Sequence, residues 1–78
     1  MRNLGKWMTA VQHPLIAGWV IRAKTGDVLG IVAWFPRWRQ FEFEPRDGAA
    51  FSWDCLKALS EFLVELNEEK RAAKESTA

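Results

Sequence analysis

The sequence predicts an α+β fold: a three-stranded antiparallel β-meander packed on one long C-terminal helix, with a short N-terminal helix or arm. Three observations carry this. Residues 18–45 are rich in β-branched and aromatic side chains and are punctuated at Gly26-Asp27 and Pro36-Arg37. Within them "WRQFEFE", 38–44, alternates with the period of a half-buried strand. Beyond Ser52, Leu56, Leu59, Phe62, Leu63 and Leu66 recur on one side of a 3.6-residue helix. At 78 residues the chain makes one domain over 1–67, with an arm at 1–16, a meander at 17–45 and a helix at 52–67.

Each element has a local reason. Leu4, Trp7, Met8 and Val11 stand at i, i+3, i+4 and i+7, one face of a short helix that Gly5 weakens. Pro14 ends it, because the residue before a proline avoids the helical region. "GWVIRAKT" and "VLGIVAWF" flank Gly26-Asp27 as a hairpin whose two-residue turn begins at positive φ. Ser52 is a good N-cap, Asp54 suits the positive end of the helix dipole, and Phe51 with Leu56 has the spacing of a hydrophobic staple. "EEKRAAKESTA", 68–78, has no large apolar residue and is expected to fray as a charged tail.

The two turns set a trial register. Trp19, Ile21, Ala23, Val28, Gly30, Val32, Trp34, Phe41 and Phe43 share one apolar face, the natural partner of the helix. Arg39 falls at its rim, opposite Trp34, where a guanidinium stacked on an indole contributes about 1 kcal/mol. The opposite face carries Val20, Arg22 and Lys24, then Leu29, Ile31, Ala33 and Phe35, then Trp38, Gln40, Glu42 and Glu44. An apolar stripe between a basic and an acidic edge is not a surface that monomeric proteins usually leave in water. Three covers are available: the N-terminal segment, a second copy related by a two-fold axis, or a different protein.

Composition narrows the function. A single cysteine, Cys55, excludes an internal disulfide, and with one histidine, His13, a Cys/His zinc site is excluded too. No nucleophile motif, phosphate loop or dinucleotide fingerprint is present, so no catalysis, cofactor or small-molecule substrate is expected. No stretch has the length and apolarity of a membrane span or a signal peptide, and a lone thiol fits a reducing, cytoplasmic setting. Charge is uneven: residues 1–46 hold seven Lys/Arg against three Asp/Glu, and residues 47–78 hold four against seven. The basic half points weakly to nucleic acid.

From Gly18 to Asn67 the chain resembles a group of short, uncharacterised proteins of bacteriophages and prophages. The resemblance rests on Leu29-Gly30, Trp34, Trp38-Arg39-Gln40, Phe43, Pro45, Phe51, Cys55-Leu56, Phe62 and Leu66-Asn67, a "WRQ-x-x-F-x-P" hairpin followed by a capped helix. It implies a phage-type setting, in which small proteins often bind a host factor stoichiometrically, including components of defence systems.

The leading expectation is therefore a non-catalytic protein-binding module that occupies a partner protein or itself, as a homodimer. Its surface is expected at Trp7, Val20, Arg22, Leu29, Ile31, Phe35, Arg37 and Trp38, since aromatic and arginine anchors dominate interfaces. The competing expectation is a DNA-binding accessory protein that uses Arg22, Lys24, Arg37 and Trp38 along the basic edge of the sheet.

Overall fold

The computed structural model describes residues 1–76, with side chains described through Ala73. The fold is α+β, but the sheet has five strands rather than three: β1 (Arg2–Leu4), β2 (Met8–Gln12), β3 (Gly18–Ala23), β4 (Val28–Phe35) and β5 (Gln40–Pro45). They pair antiparallel in chain order, leaving β1 and β5 as the edges, and α1 (Trp53–Ser76) follows.

The N-terminal segment is thus a β-hairpin, and the helix or arm expected there is corrected. Leu4 and Met8 are neighbours on a helix, but they also meet as a cross-strand pair, and Leu4↔Met8 is the pairing adopted. Gly5, at φ 63°, makes the turn that allows it. Met8, Thr9, Ala10 and Val11 then alternate, placing Met8 and Ala10 in the core and Val11 on the exposed side. The unpaired edge of β3 decides between the two readings, because it offers β2 five residue pairs from Met8↔Ala23 to Gln12↔Trp19.

Both expected turns are longer than anticipated, yet the faces are conserved except beside the bulge, where Val28 pairs with the outward-facing Arg22 and Leu29 packs against the core. Ala23 and Asp27 close a three-residue loop, with Gly26 at φ 104°. Carried on regularly, that loop would pair Ile21 with Leu29 and set β4 one residue out of phase. A β-bulge between Ile21 and Arg22 instead leaves Leu29 without a β3 partner, so that Ile21 meets Gly30 and Trp19 meets Val32. Beyond β4, residues 36–39 form a four-residue loop that closes at Phe35↔Gln40. Apart from the Arg22↔Val28 pair beside the turn, each register differs from the trial one by two residues, and a shift of two leaves inward side chains inward.

The core lies between α1 and one face of the sheet. Leu4, Met8, Ala10, Ile21, Val32, Leu59, Phe62 and Leu66 are buried, with Trp19, Phe41, Phe43 and Phe51 packed around them. Phe62 stands edge-on to Trp19, ring centres 5.5 Å apart. Arg2 closes the β1 side, its guanidinium over both rings and paired with Glu65 and Glu69 of α1. The buried helical stripe starts at Cys55 rather than Leu56, which is mostly exposed. Phe51 accordingly turns to Phe43, ring centres 5.4 Å apart, in place of the expected staple with Leu56.

The helix also runs on to Ser76, well past the expected end at 67. Residues 68–76 contain no Gly or Pro and consist largely of strong helix formers. Glu69 is held by Arg2, and Lys70 lies over the Trp34 ring. The final two residues of the expected tail, 77–78, lie outside the described residues. With 24 residues at about 1.5 Å each, α1 accounts for most of the 42 Å long axis.

At the start of α1 the capping is indirect. The Ser52 hydroxyl donates to the Asp54 carboxylate, which accepts the Cys55 N–H at 3.1 Å. The Ser52 bond is the main reason that the Asp54 carboxyl titrates below its ordinary value, and the neighbouring backbone N–H groups and Trp7 act in the same direction. Because the folded value is the lower one, this contribution is present above the ordinary carboxylate range, about pH 4. It is lost as pH falls through the folded value. Ser52→Ala is expected to return the Asp54 titration, followed by carboxyl NMR shifts, toward its ordinary midpoint. An unchanged midpoint would show that the hydroxyl does not hold the carboxylate.

Candidate interaction surface

One helix covers one face of the sheet, and strand alternation assigns the other. Val11, Val20 and Ile31 form a cross-strand row, with Glu44 of β5 at its end. Ala33 faces Glu42 in the next row, and Phe35 faces Gln40 beyond it. Val20, Ile31 and Ala33 are half-buried by their neighbours, whereas Val11 and Phe35 are exposed. No element of the chain crosses this face among the described residues, since the N-terminal segment extends the sheet sideways. The first of the three covers is therefore not used.

The loop at 36–39 adds to one end of the surface. Trp38 is 62% exposed and packs edge-on against Phe35, centroids 5.1 Å apart, with its N–H donated to the Phe35 carbonyl. Arg37 lies beside it in the same exposed loop. The β2–β3 loop ends the sheet on the same side, as Gly18↔Ala33 requires, and carries Leu15 and Ile16, both exposed.

The expected site residues thus divide. Val20, Ile31 and Phe35 share the uncovered face, with Arg37 and Trp38 at its end. Leu29 packs against the core as a consequence of the bulge. Trp7 sits at the opposite end and on the helix side, lining a hollow with Trp53, Asp54 and Ala58. Arg22 is exposed on the uncovered side, but its guanidinium donates to the Gly26 carbonyl at 3.0 Å. Lys24 belongs to the same turn, its N–H bonded to the Trp7 carbonyl. The expected basic edge does not form, because β3 is the central strand. The length of β4, about 25 Å at 3.3 Å per residue, separates Arg22 and Lys24 from Arg37 and Trp38. Nor does Arg39 stack on Trp34; Lys70 does, 4.7 Å from the ring centre.

Two exposed apolar features lie outside the expected site residues. Leu15 and Ile16 went unmarked because a loop has no periodicity to flag them. Trp53, Leu56 and Val64 form a second, exposed apolar stripe on α1. Their spacing at i, i+3 and i+11 was the available signal, merged with the buried stripe next to it.

The β5 edge is a poor alternative docking line. The Phe41 N–H is directed away from β4 and donated to Asn67 Oδ1 at 2.8 Å. By the alternation of an antiparallel ladder, positions 43 and 45 also face outward, and Pro45 has no N–H to give. Only Phe43 keeps a donor for an added strand.

Fold and surface together define a small α+β domain with one helix-covered and one uncovered sheet face. Comparison with protein-family models, curated proteins and solved structures finds no match to this chain. No helix of the described residues is long and apolar enough to cross a membrane.

Proposed function

We propose that this chain is a non-catalytic protein-binding module, acting by stoichiometric occupation of a partner protein through the uncovered face of its sheet. The observation that carries the reading is the row Val11, Val20 and Ile31, continued by Ala33 and Phe35, which no element among the described residues covers. Such a surface gains about 25 cal/mol per Å² of apolar area removed from water. The exposed Phe35–Trp38 pair provides the rigid aromatic anchors typical of interface hot spots. A second copy is the simplest occupant, because Arg22 lies to one side of the apolar row while Glu44 ends the row on β5 and Glu42 lies beyond it, an arrangement that complements itself across a two-fold axis. The resemblance to short phage proteins supports a host protein, including a defence component, as the occupant in a cell. A DNA-binding reading draws less support, with its four residues at two ends of the sheet and Glu42 and Glu44 between them.

Ile31→Lys tests the surface. The new ammonium faces Glu44, so the fold is expected to persist, with stability changed by no more than about 1 kcal/mol. Light scattering is expected to give a dimer mass for the wild type and a monomer mass for the variant. A wild type that stays monomeric at millimolar concentration removes the homodimer form. A captured partner that binds Ile31→Lys as tightly as wild type removes the surface.

A further inference from the structure

On the helix side of the sheet, away from the proposed docking face, a cleft of about 350 Å³ opens between the β4–β5 end and α1. Trp34, Arg39, Gln40, Asn67, Lys70 and Arg71 line it. Among the described residues, three cations and no carboxylate surround this space. Ordinary solvated faces mix the two signs, and elsewhere α1 does so, with Glu65 and Glu69 paired to Arg2. Neither the Arg39 nor the Arg71 side chain has an ion pair or hydrogen bond among the described residues.

The polar groups of this cleft are biased toward donation. Asn67 spends its Oδ1 on the Phe41 N–H, which fixes the amide and leaves Nδ2 as a donor. Lys70 and both arginines have no acceptor at all. A site of this make-up selects a ligand rich in acceptors and negative charge. Trp34 adds a flat apolar wall. Lys70 rests on it at 4.7 Å, a weak ring contact that an arriving anion can outcompete, freeing the indole face.

A second, independent observation concerns the backbone. Arg39 has φ 53°, a left-handed conformation that glycine adopts freely and a bulky side chain does not. It is the one non-glycine residue with positive φ among the described residues. A turn built only to connect β4 and β5 is served better by glycine. Strained residues of this kind cluster at ligand sites, where the side chain has a use.

We propose that this cleft binds a nucleoside phosphate, with the phosphates on Arg39, Arg71 and Lys70, the Asn67 amide donating to an acceptor oxygen, and the base against Trp34. The volume falls at the lower end of small-molecule sites, which suits a mono- or dinucleotide-sized ligand rather than a polymer.

The test is an NMR titration of the full chain at physiological salt with ADP, inorganic pyrophosphate and adenosine, following the Trp34 indole and Asn67 amide signals. ADP is expected to shift both saturably and to bind at least tenfold more tightly than either pyrophosphate or adenosine. Arg39→Gly is expected to weaken ADP at least tenfold while the melting temperature holds or rises, because the turn is relieved. Arg71→Gln is expected to weaken it similarly, whereas Arg37→Ala, outside the cleft, leaves it unchanged. The proposal is overturned if ADP gives no saturable shift, or if Arg37→Ala weakens it as much as Arg39→Gly. Pyrophosphate binding as tightly as ADP overturns the role of Trp34. Affinity for single-stranded oligothymidylate that climbs with length overturns a closed small-ligand site.

Discussion

Phe62→Ala is expected to destabilise the protein by about 3–5 kcal/mol, the range for removing a fully packed aromatic ring. A domain of this size holds only about 4–12 kcal/mol in all, so the variant should be partly unfolded at 37 °C. Phe62 is 2% exposed and lies at the junction of both halves of the core. It meets Trp19 of β3 edge-on and lies beneath the Arg2 guanidinium of β1, so its loss loosens the added hairpin and the central sheet together. Urea unfolding followed by tryptophan fluorescence provides the measurement. With a slope near 1 kcal/mol per molar urea, the midpoint should fall by about 3 M or more. Val64→Ala, two residues along on the exposed side of α1, is the control and should stay within about 0.5 kcal/mol of wild type. Equal effects of the two would mean that α1 is not seated by the stripe described.

Gly30→Ala is expected to be nearly as damaging, through overpacking rather than a cavity. Gly30 takes the core-facing position opposite Ile21 that the bulge assigns to it. A Cβ there would stand 2.7 and 2.8 Å from two atoms of the Phe43 ring and against the Glu44 carbonyl. The ring cannot easily retreat, because Phe51 packs on it, and the carbonyl belongs to the β5 backbone. Either β5 moves away from β4 or the ring leaves the core, at a cost of about 3 kcal/mol, the upper part of the overpacking range. Gly26→Ala separates this from a general glycine effect. Gly26 has φ 104° and open space around it, so its replacement incurs only the backbone penalty, about 1 kcal/mol. Thermal melting by circular dichroism should therefore place Gly30→Ala well below Gly26→Ala. Coinciding curves would remove the close approach of β4 and β5 from the account.

Both predictions use positions visible in the sequence, but for reasons that the sequence conveys unequally. The helix stripe of Leu59, Phe62 and Leu66 is a local repeat and needs no knowledge of the partner surface. Gly30, in contrast, falls on the apolar face with Phe43 by alternation, but the ring's close approach to its Cα comes only with the register that pairs Gly30 with Pro45. The candidate surface behaves in the same way. Ile31 and Phe35 were assignable to the uncovered face from alternation alone, while Trp7 and Leu29 were not. A turn carries Trp7 to the helix side, and the bulge alters the setting of Leu29.

Local pattern was enough for the α+β class, for the sidedness of residues 18–45 away from Val28 and Leu29, and for the Leu59, Phe62 and Leu66 stripe of the helix. These depend on periods of 2 and 3.6, which survive errors in loop length as long as the strand shift is even. Tertiary structure alone decided the strand count, the helix length and the partner of Trp34. An ambiguous segment such as 2–12 becomes a hairpin because β3 presents an open edge. The charged end of α1 runs on beside groups from distant parts of the chain, with Arg2 holding Glu69 and Trp34 lying under Lys70. No local pattern encodes those distances, because they exist only once the sheet and helix have packed.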